Sequence, residues 1–135
     1  MKLKPISILV PMKEASHGVE LWVQKRISND SLSGLLEFPG GKIEGTETPE
    51  EAALRETNEE VGVEVSLQKI IRFAQYQFTP LILFVHIYWD DTGLFATEGY
   101  HSLNHLIEMR GKIPPNNIQI LADISKRFQA VVPLK

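Results

Sequence analysis

An α+β sandwich, a sheet covered by helices, is the fold this sequence predicts, and three stretches predict it. Ile6–Val10 and Val19–Gln24 are short apolar, β-branched runs separated by the turn residues Glu14-Ala15-Ser16-His17-Gly18, the pattern of a hairpin. Pro49–Val61 is a helix bounded by local signals at both ends. The last third pairs a strongly apolar strand, Leu81–Trp89, with a closing amphipathic helix. Mixed runs of strands and helices without a regular βαβ alternation give an α+β class. At 135 residues the chain makes one domain with room for a substantial core.

Taken in order, the first hairpin exits through Lys25-Arg26 into Ser28-Asn29-Asp30-Ser31-Leu32-Ser33-Gly34, which is loop chemistry, and His17 falls in a polar surface turn. Leu35–Ile43 reads as a strand entering a tight turn at Gly40-Gly41, where missing side chains let backbone approach a ligand or simply bend sharply. Thr48 is an N-cap, Pro49 suits the first helical position, Glu51 completes a capping box, and Gly62 stands where a left-handed C-cap belongs. Within that helix Glu56, Glu59 and Glu60 stand at i, i+3 and i+4 and share a face, while Ala53, Leu54, Thr57 and Val61 occupy a neighbouring sector. Like charges at this spacing repel by a few tenths of a kcal/mol per pair. A hard divalent cation would relieve them; a solvated acidic face with Arg55 as local partner is the plainer reading.

Glu64–Gln77 alternates loosely through Val65, Leu67, Ile70 and Phe73, and the short Thr79-Pro80 link pairs it with Leu81–Trp89. His86 in that strand reads as a structural histidine, and Asp90-Asp91-Thr92-Gly93 as turn formers. His101 and His105, at i and i+4, lack a third ligand at a sensible spacing. Pro114-Pro115-Asn116-Asn117 opens the last helix, with a stripe at Ile118, Leu121, Ala122, Ser125 and Phe128.

Composition narrows the class of function. A net charge of −3 offers no general attraction to nucleic-acid polymers. The absence of cysteine excludes disulfides and thiolate metal sites, in keeping with a reducing cytoplasm. No apolar run approaches the 18 residues of a membrane span, and the first residues do not read as a signal peptide, so a cytoplasmic location is expected.

The stretch Gly41-x5-Glu47-x7-Arg55-Glu56-x2-Glu59-Glu60-x-Gly62 resembles the Nudix box at seven fixed positions. A chance match is on the order of one in 10⁸ per window. Thr57 departs from the box, which has an aliphatic residue there. The resemblance implies a Nudix hydrolase domain over 1–135, an α/β/α sandwich with a mixed central sheet. It also implies cleavage of a diphosphate linked to another group, with Mg²⁺ or alternatively Mn²⁺ as cofactor. By the same resemblance Glu56, Glu59, Glu60 and the Gly40 carbonyl hold the metal, and Gly41, Glu47, Arg55 and Gly62 form the structural box. The general base is one of Glu56, Glu59 and Glu98.

Beyond the box the chain is similar to the MutT-like 8-oxo-dGTP diphosphatases of that family. Leu36-Glu37-Phe38-Pro39-Gly40-Gly41-Lys42-Ile43-Glu44 carries this likeness, together with Arg26, Glu98-Gly99 and Pro114-Pro115-Asn116-Asn117. It implies a small-molecule nucleotide as substrate, contacted by Arg26, Glu37, Phe38, Pro39, Gly40 and Asn117. The amide of Asn117 suits a purine edge because it donates and accepts in one plane, and an N-cap is the alternative role for it. Two departures point to an altered pocket. Ser31 replaces a substrate-contacting histidine, and the Tyr76–Leu83 hairpin is about two residues short and lacks an Arg-His pair. Hydrolysis of 8-oxo-dGTP to the monophosphate and pyrophosphate is therefore the first expectation. Other nucleoside triphosphates such as CTP, nucleotide sugars or dinucleoside polyphosphates are the alternative, and a non-catalytic nucleotide sensor is a third reading. Monomer and homodimer are equally compatible with the sequence.

Overall fold

A computed structural model of the chain describes residues 2–16, 18–27, 29–30 and 33–128; His17 and Ser31 lie outside the described residues. The organising element is strand β1 (Lys4–Ala15), which runs parallel to β7 (Leu81–Trp89) along one edge. Its other edge is divided. Ile6–Ile8 pair with β5 (Gly40–Lys42), and Met12–Ala15 pair with β2 (Gly18–Trp22), both antiparallel. The sheet continues outward as β6 (Ile70–Phe78) beside β7 and β8 (Tyr100–Ser102) beside β2, giving the order β6-β7-β1-β2-β8 with β5 on β1. One parallel pair among antiparallel ones makes the sheet mixed.

Side chains on β1 alternate between two cores, as a strand buried on both faces requires. Leu9 packs with Trp22, Ala53, Val65, Ile70, Tyr88 and Phe95 on the side covered by helix α1 (Pro49–Val61). Ile8, Val10 and Met12 pack on the other side, against α2 (Leu103–Glu108) and α3 (Pro115–Phe128) through Leu106, Ile120, Leu121 and Ile124. The expected α/β/α sandwich is thus the observed one. No described helix is long and apolar enough to cross a membrane.

Helix α1 has the predicted limits. Thr48 Oγ1 accepts from the Glu51 N–H at 3.1 Å, Glu51 Oε1 accepts from the Thr48 N–H at 2.9 Å, and Gly62 closes the helix at φ 83°. Its first turn is pinned from below: the Ser7 hydroxyl donates to the Pro49 carbonyl at 2.5 Å, and Arg72 donates two bonds to Glu50. His86 lies fully buried in this cluster, with Nδ1 3.1 Å from the Ile8 carbonyl, and burial holds its pKa below the ordinary imidazole value. The structural role expected of it holds at Nδ1, whereas Nε2 is buried without a hydrogen-bond partner among the described residues, 3.6 Å from Glu50 Oε2.

Three expectations need correction. The stretch Leu35–Ile43 is two short strands, β4 (Leu36–Glu37) and β5, because the chain changes partner at Phe38-Pro39. β4 pairs with β3 (Gln24–Lys25), whereas β5 pairs with β1. The stripe of α3 is rotated: Asn117, Ile120, Leu121 and Ile124 are buried, whereas Ala122 is exposed. The run Val19–Gln24 is likewise divided, between β2 and β3; His101, on β8, stacks its ring on that of His105 at 5.7 Å.

Thr57 bears on stability. It is fully buried, and its Oγ1 has no hydrogen-bond partner among the described residues. Thr57→Val keeps the shape and removes the orphaned hydroxyl, so it should stabilise the protein by about 1–2 kcal/mol. The thermal midpoint should rise by roughly 3–8 °C. An unchanged or lower midpoint would mean that the hydroxyl finds a partner in solution.

Candidate active site

The divided edge of β1 positions the site. β2 and β5 meet β1 at different heights, and β3 and β4, which lie between them in sequence, pair with each other instead of with β1. A crevice of about 390 Å³ opens beside the β3–β4 pair, lined by Gln24, Lys25, Arg26, Ile27, Glu37 and Glu60. Strand pairing sets its walls, with Gln24 opposite Glu37 and Lys25 opposite Leu36. Arg26 crosses it, donating to Glu37 Oε1 and to Asp30 Oδ2 at 3.1 Å each, and these acceptors raise its pKa.

The C-terminal half of α1 closes the crevice from one side. Arg55 is the hub of its acidic face. It donates from Nε to Glu47 Oε2 at 2.6 Å and from Nη2 to Glu47 Oε1 and the Lys42 carbonyl at 3.0 Å each, bracing the glycine turn against the helix. This geometry lowers the Glu47 pKa and keeps Arg55 protonated. The same guanidinium reaches Glu56 at 3.2 Å and Glu59 at 3.5 Å. Glu60 turns the other way. Its Oε1 accepts from the Gln24 carboxamide at 2.8 Å and from the Gly40 N–H at 3.3 Å. The residue is solvent-exposed, yet its carboxyl is lodged between β3 and the glycine turn. Desolvation there, with the nearby charges of Glu56 and Glu37, pushes its pKa up to about 7 against the two hydrogen bonds.

Close packing explains both glycines. A Cβ on Gly41 would stand 2.3 Å from the Glu56 carboxyl carbon, and one on Gly40 would stand 2.3 Å from the Ser7 carbonyl oxygen. The helix can bring Glu56 onto the turn only because position 41 has no side chain.

The remaining candidates are dispersed. Glu98 is exposed in a 3-10 turn, Thr97–Gly99, which is tied to the crevice wall by the Val23 N–H donating to the Gly99 carbonyl at 3.0 Å. That turn is held from behind by Asp90, which accepts from the Leu94 and Phe95 N–H groups and the Tyr100 hydroxyl. Phe38 and Pro39 are buried, and the Pro39 carbonyl is taken by the Leu9 N–H, so their side chains belong to the core and not to the crevice. Asn117 is 7% exposed at the third position of α3, past the N-cap, and makes no side-chain hydrogen bond among the described residues. It does not line the crevice, and neither does Glu98. Gln24, Lys25 and Ile27 are crevice residues that sequence reasoning missed. Nothing in their local pattern marks them, although their position beside Arg26 was a usable hint.

Chemically, the donors are of the right type for a hard divalent cation: carboxylate oxygens on one helix face beside a glycine turn. Among the described residues no three acidic or histidine side chains meet at one point: Glu56 and Glu59 face Arg55, and Glu60 faces Gln24 and the Gly40 N–H, so the fit to a cation rests on the donor type and the shared helix face.

Comparison with known proteins identifies the family and the fold. The NUDIX domain family matches residues 3–124. An 8-oxo-dGTP diphosphatase of Haemophilus influenzae is 28% identical over 76% of this chain and 79% of its own length. A CTP pyrophosphohydrolase of Escherichia coli is 30% identical over 78% of this chain and 76% of its own. Among solved structures, a mutT/nudix family protein from Listeria innocua superposes with a TM-score of 0.74 at 14% identity, covering 94% of each chain, and is similar in fold.

Proposed function

The chain belongs to the Nudix family, and from that premise we propose that it hydrolyses a nucleoside triphosphate to the monophosphate and pyrophosphate. In this reading residues 1–135 act as a single cytoplasmic domain on a small-molecule nucleotide, with Mg²⁺ as cofactor and 8-oxo-dGTP as preferred substrate. Glu56, Glu59, Glu60 and the Gly40 carbonyl hold the cation, and Mn²⁺ fits the same oxygen donors. The chemistry that a bound cation supplies is polarisation of a phosphoryl oxygen and a lower pKa for an attacking water. The protein's own work is positioning. Arg55 and Glu47 keep the glycine turn on the helix, Arg26 and Lys25 offer positive charge to the polyphosphate side of the crevice, and one of Glu56, Glu59 and Glu98 takes the water's proton.

What supports the purine preference is the resemblance at Pro114-Pro115-Asn116-Asn117, with Asn117 outside the lining of the crevice itself. The helix of Asn117 starts at Pro115, so the N-cap alternative lapses, and a carboxamide that makes no side-chain hydrogen bond among the described residues is free to meet a base edge. A second reading, CTP-like substrates, is favoured by the similarity to a CTP pyrophosphohydrolase and by the shortened Tyr76–Leu83 hairpin.

Steady-state turnover on 8-oxo-dGTP, dGTP, CTP, a nucleotide sugar and a dinucleoside polyphosphate tests the choice, with products analysed in ¹⁸O-labelled water. A kcat/KM for 8-oxo-dGTP at least about tenfold above that for dGTP is expected, since a site built around paired polar groups discriminates strongly. Equal values would reject the preference, and a maximum at CTP would install the second reading.

A further inference from the structure

Glu60 differs from the other two box glutamates in what holds it. Glu56 and Glu59 are reached by the Arg55 guanidinium, whereas no Lys, Arg or His among the described residues pairs with Glu60. Its donors are both neutral: the Gly40 N–H, and the Gln24 carboxamide from a strand 36 residues away. A neutral donor fixes the direction of a carboxylate without cancelling its charge. A cationic donor would fix it and cancel part of its pull on a metal, and an apolar residue would leave it to rotate. Only the first combination fixes the direction of the carboxylate without placing a counter-charge on it.

We propose that Gln24 is the positioning residue of the cation site, orienting Glu60 through a neutral hydrogen bond so that its charge remains available to a divalent ion. The proposal rests on the reading of Glu60 as a cation ligand and goes beyond it. Gln24 stands on β3, opposite Glu37 and two residues before Arg26, so the strand that walls the nucleotide crevice also aims the metal ligand. Cation affinity and nucleotide placement are thereby set by one two-residue strand. Gln24 is partly exposed, and its side-chain amide bonds to no other described group, which leaves Glu60 as its assignment.

The test uses Mn²⁺ alone as probe, with free ion followed by electron paramagnetic resonance in the absence of nucleotide. Wild type is compared with Gln24→Leu, Gln24→Lys and Glu60→Gln. Gln24→Leu and Gln24→Lys should each weaken Mn²⁺ binding by about 10–100-fold, the range for loss of an outer-shell partner. Their thermal midpoints should stay within a few degrees of wild type, because an exposed bond is lost and no core is opened. In turnover at saturating nucleotide the Mg²⁺ concentration for half-maximal rate should rise by a similar factor. A merely structural glutamine would shift the midpoint and spare the affinity. Unchanged Mn²⁺ affinity in Gln24→Leu overturns the proposal, and so does wild-type affinity in Gln24→Lys. If Glu60→Gln loses binding while both Gln24 variants keep it, only this inference falls. If wild type and Glu60→Gln take up Mn²⁺ equally, the cation-site reading falls with it.

Discussion

Glu60→Gln is expected to lower kcat by on the order of 10³ while leaving the fold intact, the loss seen when one preorganised electrostatic partner of a transition state is removed. The substitution is close to isosteric. The glutamine carbonyl can still accept from Gln24 and from the Gly40 N–H, so the link between β3, the glycine turn and α1 survives. What disappears is a negative charge. Desolvation first, and then the like charges of Glu56 and Glu37, raise the Glu60 pKa, so the charged form is disfavoured where it stands. Without a cation that penalty destabilises the folded chain, so the variant should melt at or slightly above the wild-type temperature. An enzyme that becomes inactive without becoming less stable separates chemistry from folding. The measurement is kcat over a Mg²⁺ titration at saturating nucleotide, beside a thermal melt. Full turnover in Glu60→Gln would remove Glu60 from the cation site.

How far the sequence foretold this arrangement depended on whether each signal was local. Helix α1 was legible to the residue because Thr48, Pro49, Glu51 and Gly62 act within a turn of where they stand. β7 was legible because eight apolar residues and His86, bounded by Pro80 and Asp90, leave little else to form. β1 was read as Ile6–Val10 but runs over Lys4–Ala15, because Pro5 and Pro11 look like strand breakers. The pairing shows why they are not. The Leu9 N–H points to the β5 side, donating to Pro39, so by alternation the missing N–H of Pro11 falls on that side too, between the reach of β5 and β2. Partner choice, a non-local property, made those prolines acceptable. The site divides in the same way. Residues on one helix face were predictable from periodicity, whereas Gln24 and Ile27 became crevice residues only once β3 had paired with β4. Ala122 was placed wrongly because the face that α3 buries is set by α2 and the sheet, and Ile120 and Ile124 compete for it with the more strongly apolar surface.

Gly41→Ala should lower kcat by about 10²–10³ with little change in stability, whereas the neighbouring Gly40→Ala should damage the fold. The two glycines are adjacent, yet a Cβ meets different things at each. At position 41 it would come within 2.3–2.6 Å of all three carboxyl atoms of Glu56. That carboxyl is the end of a flexible side chain, so relief is available by swinging it out, at the cost of its bond to Arg55 and its place over the turn. β5 keeps its pairing of Gly41 with Ser7, and the thermal midpoint holds within a few degrees. At position 40 the added methyl would stand 2.3 Å from the Ser7 carbonyl oxygen and 2.9 Å from the Ile8 Cα, and backbone inside a sheet has nowhere to swing. Relief there requires β5 to leave β1, which opens the edge of the core and costs roughly 2–4 kcal/mol in urea unfolding. The pair of variants therefore tests whether Gly41 serves the chemistry and Gly40 the sheet. Equal stability loss in both would show that Glu56 is not packed on the turn in solution, and an active, stable Gly41→Ala protein would remove Glu56 from the site.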